Sequence, residues 1–142
     1  MINISYIIGL IDAATTYTVA SARAKEPDLL EFSTLPVVFV GYSSIDSASP
    51  TSPMEHDLYS MAGDDLVQSF DIQIICAQAD LPTIWKAVYT CLVGQHPTPT
   101  VSGLASTSGL TYSQGGMIGL ANDRVFWLDR WRIGFPTTNA SI

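Results

Sequence analysis

Glu55-His56-Asp57 is the one place in this chain where an imidazole stands between two carboxylates. That order of residue types suits a metal ligand set or an acid–base relay. Both need a fixed geometry, and three adjacent residues next to a Ser/Pro-rich stretch do not supply one. The segment reads as a solvated polar turn. His96, directly before Pro97, reads as a loop residue. No serine sits in a G-x-S-x-G elbow. Gly115-Gly116-Met117-Ile118-Gly119 lacks the lysine and the strand-to-helix context of a phosphate loop. The two cysteines, Cys76 and Cys91, fall on an expected strand and an expected helix. They read as buried, reduced thiols, because an unpaired cysteine packs as a small hydrophobe. Cys91 near a helix C-terminus gains no activation from the dipole there. A Cys76–Cys91 disulfide is the alternative for a secreted chain, and two cysteines so spaced make no zinc signature. The expectation is a protein with no enzymatic activity, no cofactor and no metal.

Arginine is the remaining residue type with chemistry to offer. Arg124, Arg130 and Arg132 are half of the chain's six basic residues and lie close together. Three readings stand side by side. They form a strip that binds an anion or an acidic partner; they are the solvated face of an edge strand, where charge blocks aggregation; or they pair with Asp57, Asp64, Asp65 and Asp71, within a subunit or across a subunit boundary. These seven residues are the interface candidates.

Composition narrows the class. The 142 residues suit one domain, spanning 1–142, with enough length to bury a core unaided. Charged residues are 13% of the chain, against about 25% in an ordinary soluble domain. Polar uncharged side chains or another subunit must therefore cover the surface. The formal charge of −7 argues against general binding to nucleic-acid phosphates. The apolar N-terminal run has no preceding Lys or Arg and is interrupted by Asp12, unlike a cleaved leader. It is also too short to span a membrane.

The elements that would position these residues are legible from periodicity. Leu66, Gln68, Phe70, Ile72, Ile74 and Cys76 alternate with Val67, Ser69, Asp71, Gln73 and Ile75, as the two faces of one long strand. Asp80 stands at an N-cap, with Pro82 just inside a helix in which Leu81, Ile84, Trp85, Val88 and Leu92 recur at helical spacing. Gly94 closes it. An N-terminal helix is expected from about Asn3 to Ala24, capped by Asn3 or Ser5 and stopped by Pro27. Leu35 to Tyr42 is an apolar strand. Ser43 to Gly63 reads as a long polar loop or hairpin tip, with a short strand or turn at Met54 to Met61. A loop this long suits a partner-contacting arm, with a merely mobile tip as the alternative. After a second break, Gly94 to Gly109, where Val101 to Ser106 could pair weakly, Leu110 to Leu120 is a Gly-rich strand with an expected bulge or close backbone approach. Asn122-Asp123 marks a tight turn. In the last strand, from Arg124 to Phe135, Val125, Trp127, Trp131, Ile133 and Phe135 share a core face broken once by Asp129. The fold class is α+β: a mostly antiparallel sheet packed against two helices, with a long hairpin loop.

The order of these elements, carried by LPVVFVGY (35–42), DLVQSFDIQIICAQ (65–78), IWKAVYTCLVGQHP (84–97) and NDRVFWLDRWRIGF (122–135), resembles the tail terminator (tail completion) proteins of tailed bacteriophages. The stretch from Ser102 to Gly119 does not match that pattern. The resemblance implies a structural virion protein. Six copies form a ring on the last ring of the tail tube, stop its polymerisation and present a head-docking surface. The implied partners are further copies of this chain, the tail tube protein, a neck or connector protein, and the sheath if the tail is contractile. Genomic DNA passes through the channel without specific binding, and no membrane is involved. The place is the tail–neck junction of the virion, assembled in the host cytoplasm. A negative lumen, with Asp64 and Asp65 lining it, would let DNA slide. The alternatives are another head–tail connector or neck protein and, from a different class, a small ligand-binding domain or enzyme.

Overall fold

The computed structural model describes residues 2–21, 36–47, 65–96 and 109–136. In chain order these form α1 (Ile4–Ala14), β1 (Thr18–Ser21), β2 (Val37–Ser47), β3 (Asp65–Ala77), α2 (Leu81–Leu92), β4 (Thr111–Ala121) and β5 (Arg124–Pro136). The five strands make one sheet in the order β1-β2-β3-β5-β4. Only the β1–β2 pair is parallel; the other three pairs are antiparallel. The fold is α+β.

β3 is the spine of the sheet, as its alternation predicts. Phe70, Ile72, Ile74 and Cys76 are buried on the face that meets the helices. From α1 they receive Ile7 and Ile11, from α2 Ile84, Val88 and Leu92, and from the flanking strands Val38, Val40, Val125, Trp131 and Ile133. Each such side chain removed from water contributes about 1.5–3 kcal/mol. A smaller cluster of Val37, Phe39 and Ile75 lies on the opposite face.

The N-terminal helix is shorter than its periodicity suggests. Asn3 caps it by accepting from the Ser5 N–H at 2.9 Å. It ends at Ala14, where the Thr15 N–H (3.0 Å) and the Thr15 hydroxyl (2.8 Å) both donate to the Ile11 carbonyl. The expected continuation to Ala24 is corrected: Thr18–Ser21 is a strand pairing with Val37–Val40. The β-branched run Thr15, Thr16, Thr18, Val19 favours extended backbone, and a sheet edge within reach decides the matter. Pro27 lies outside the described residues.

β2 also departs from expectation. It runs through Ser47, past the expected loop start at Ser43, with a bulge between Tyr42 and Ser44. The bulge keeps Tyr42 opposite Phe70 and Ile45 opposite Gln68, so both stay on the helix side. β2 and β3 are antiparallel neighbours; the arm that would join them, residues 48–64, lies outside the described residues, as do Met54 to Met61 and Val101 to Ser106. α2 begins after a single 3-10 turn, Gln78–Asp80. Asp80 occupies the N-cap, but its side chain makes no capping bond there. Gly94 follows the end of α2 with φ +76°, the left-handed conformation that glycine tolerates best. Asn122 and Asp123, at φ 51° and 63°, form the two-residue β4–β5 turn with both residues left-handed.

Candidate functional site

Of the interface candidates, the described residues bring together one pair, Asp71 and Arg130. Asp57 and Asp64 lie outside the described residues, with Glu55 and His56. Asp65 opens β3, in register with Pro136. Asp71 and Arg130 are cross-strand partners on the face away from the helices, and the Arg130 guanidinium donates to Asp71 Oδ1 at 3.1 Å. Half-exposed pairs of this kind contribute about 0–1 kcal/mol, so the pair sets register more than it adds stability. Arg132 is exposed and Arg124 half-buried. The edge-strand reading of the arginines is corrected: β5 lies between β3 and β4. Arg130 and Arg132 instead border an open cavity of about 350 Å³ on the helix-free face, with Ser44, Asp46, Ser69 and Ser113 around them. Its polar lining includes one carboxylate, which offsets part of the cationic character.

Among the described residues, those with catalytic potential lie apart from one another. Both cysteines are free. Burial, then the nearby Asp80 charge, pushes the Cys76 thiol up to about 11. Burial likewise raises Cys91, whose Sγ donates to the Val88 carbonyl at 3.2 Å. Neither is a thiolate at neutral pH. His96 is exposed just past α2. Among the described residues no group of three His, Cys, Asp or Glu could hold a metal, and no helix is long and apolar enough to cross a membrane. A surface depression of about 690 Å³ beside the exposed side of α2 presents Lys86 as the charged group among its described lining residues.

The most unusual site is built around Asp129. The sequence marks it only as an acid interrupting a core face. In the fold it is 1% exposed. Its Oδ1 accepts from Trp127 Nε1 at 2.7 Å and from the Tyr112 hydroxyl at 3.1 Å. Tyr112 reaches this point because of two bulges. Register shifts between Tyr112 and Gln114 and between Met117 and Gly119 place Tyr112, Gly115, Met117 and Leu120 opposite the core-facing residues of β5. Trp85 and Tyr89 of α2 stack at 5.0 Å, and Tyr112 and Trp131 close the cluster edge-on at 5.5 Å. The indole N–H groups of Trp85 and Trp131 are buried without a hydrogen-bond partner. Burial raises the Asp129 pKa; the hydrogen bonds from Trp127 and Tyr112 favour its charge and limit the rise. Burial, with the Asp129 charge behind it, pushes the Tyr112 hydroxyl up to about 12, so it remains a donor.

A pH dependence follows. Asp129 holds its proton more tightly folded than unfolded. Its contribution to stability is therefore full below the ordinary carboxylate pKa of about 3.9. It is lost as pH rises through the raised folded value. Asp129→Asn keeps an acceptor for Tyr112 and Trp127 and removes the titration. Urea midpoints of the two proteins should diverge in favour of the variant as pH rises across that window, then run parallel. A constant difference from acid to neutral pH would mean that the carboxyl titrates normally.

The outer strand β4 is the other notable surface. Met117 (55%), Ile118 (51%) and Leu120 (51%) are its exposed large hydrophobics.

No family model matches this chain, and no curated protein matches it. Among solved structures, a chain from the virion of a native gene transfer agent particle is similar to it. That chain is 19% identical, with a TM-score of 0.48, and the match covers 92% of this chain and 84% of that one.

Proposed function

We propose that this chain is a structural protein of a phage-type virion and, within that class, a tail terminator. Copies close into a ring on the tail tube, stop its growth and present a surface to the neck. The supporting observation is where the resembling stretches fall. The described residues of LPVVFVGY, DLVQSFDIQIICAQ, IWKAVYTCLVGQHP and NDRVFWLDRWRIGF fall on, or directly beside, β2, β3, α2 and β5. Those four elements are adjacent and supply most of the main core. The resemblance therefore covers the framework of the fold rather than scattered segments. Ring closure by head-to-tail contacts explains termination, because each interface is heterologous while the rotation closes. Copies carrying −7 each make an acidic ring that DNA passes without sticking.

Light scattering on the purified protein, then negative-stain imaging with purified tails of the same particle that lack this protein, tests the reading. The expected result is a ring in solution or on the head-proximal end of the tails, with tube length held constant. A monomer that ignores tails overturns it. Density at a head-side connector, with tube length unaffected, would instead favour a neck protein.

A further inference from the structure

We propose that the edge of β4 away from β5, unpaired among the described residues, receives a second copy of this chain, by antiparallel addition of that copy's β1 edge. The proposal rests on the ring reading and names its contact.

β4 and β1 are the two ends of the described sheet: β4 pairs only with β5, and β1 only with β2. An outer strand usually carries lysine, proline or other charge against unwanted pairing. Thr111–Ala121 has no charged residue and no proline, and it exposes Met117, Ile118 and Leu120. Its two bulges leave Gln114 to Met117 as a regular run of four residues between them. β1 is also four residues long and charge-free. In a chain of net charge −7, two copies repel wherever their acids face each other, so uncharged edges are where they can close.

Gly116 supplies an independent pointer. Its neighbour Gly115 is explained within the chain, since a Cβ there would run into Asp129 and Tyr112. Gly116 has no such reason. A Cβ there would meet nothing within 4 Å, and its φ is not left-handed. A mid-strand glycine weakens the strand and commonly marks the close approach of another backbone. Gly116 floors a groove of about 260 Å³ bordered by Gln114, Ile118, Leu128 and Arg130.

Strand direction fits. β1 is parallel to β2, and three successive antiparallel pairings lead from β2 to β4. β1 therefore runs opposite to β4. A second copy turned about a ring axis with its strands in the same sense presents β1 antiparallel to β4. The contact is heterologous and repeats until the ring closes.

The test uses two variants with one added cysteine each, Gln114→Cys and Ala20→Cys. Both positions lie on the helix-free side of their strands, and antiparallel pairing of β1 with the 114–117 run sets them opposite each other. They are mixed, with and without purified tails, and oxidised, with the unsubstituted protein as the control for Cys76 and Cys91. A mixed disulfide dimer at least tenfold in excess over either self-pair supports the proposal. So does a tenfold weaker association of Met117→Lys at an unchanged urea midpoint. Self-pairing of Gln114→Cys would show two β4 strands meeting and overturn it. Oligomers or tail-bound rings that form without the mixed disulfide also overturn it, while leaving the ring reading in place. Absence of any assembly, with or without tails, removes both.

Discussion

Gly115→Ala is expected to destabilise the protein by about 2–4 kcal/mol, the range for forcing atoms into a packed site with displacement of a hydrogen-bonded group. The direction is opposite to the ordinary gain of about 0.5–1 kcal/mol on replacing a mid-strand glycine by alanine. A Cβ at this position points at the Asp129 carboxylate and the Tyr112 hydroxyl and comes within 3.1 Å of Trp127 Nε1. None of these can retreat easily. Asp129 and Tyr112 hold each other at 3.1 Å, and the ring of Tyr112 is fixed edge-on against Trp85 and Trp131. The alanine methyl would split the carboxylate from its donors and leave a buried acceptor unpaired, which adds its own cost. Gly116→Ala is the internal control. One residue along the same strand its Cβ meets nothing, so the urea midpoint should stay level or rise slightly. Urea unfolding followed by tryptophan fluorescence distinguishes the two, since Trp85 and Trp127 border the disturbed site. Equal effects of the two substitutions would show that the Asp129 cradle is not tightly closed.

Gln68→Leu should cost about 2–4 kcal/mol, from two buried backbone groups left without partners. Gln68 is 1% exposed. Its Oε1 accepts from the Ile2 N–H at 2.8 Å, and its Nε2 donates to the Ile2 carbonyl at 2.9 Å. The side-chain amide thus acts as one more peptide group and ties the chain before α1 to the middle of the sheet. Leucine matches its size but makes neither bond. The loss should be local as well as global: amide hydrogen exchange through α1 should quicken more than exchange in β3 and β5. Gln68→Glu keeps the acceptor for Ile2 but sets a carboxylate against the Ile2 carbonyl. It should be less stable than the wild type at neutral pH and recover as the pH falls and the carboxyl becomes a donor. Uniform acceleration of exchange across the whole chain in Gln68→Leu would mean that α1 is not separately anchored by this amide.

The elements most legible in the sequence are those defined by their own periodicity. The two-residue alternation of 65–77 and 124–135, the helical spacing of Ile84, Val88 and Leu92, and the Asn122-Asp123 turn each depend on one local stretch. The structure places β3, β5, α2 and the left-handed turn where those patterns predict. Cys76 is buried, as its reading as a packed thiol expects, whereas Cys91 is only half-buried because its side of α2 faces outward. Bulging in 110–120 was legible from its glycines. The individual need for Gly115 was not, because it depends on an acid in another strand.

What remained for tertiary structure was every feature that needs a distant partner. Thr18–Ser21 carries too short a pattern to declare itself, and it is a strand because β2 offers an edge. The arginines of β5 lie on an open face rather than a sheet edge because β4, whose polar and glycine-rich sequence hardly reads as a core partner, pairs outside them. Gln68 can stand in a core face because Ile2, 66 residues away in sequence, supplies its two bonds. Asp129 looked like an interruption until the bulged β4 brought it Tyr112. Periodicity is a property of one segment and survives in the sequence. The satisfaction of a buried polar group is a property of two segments, and only their contact in the folded chain decides it.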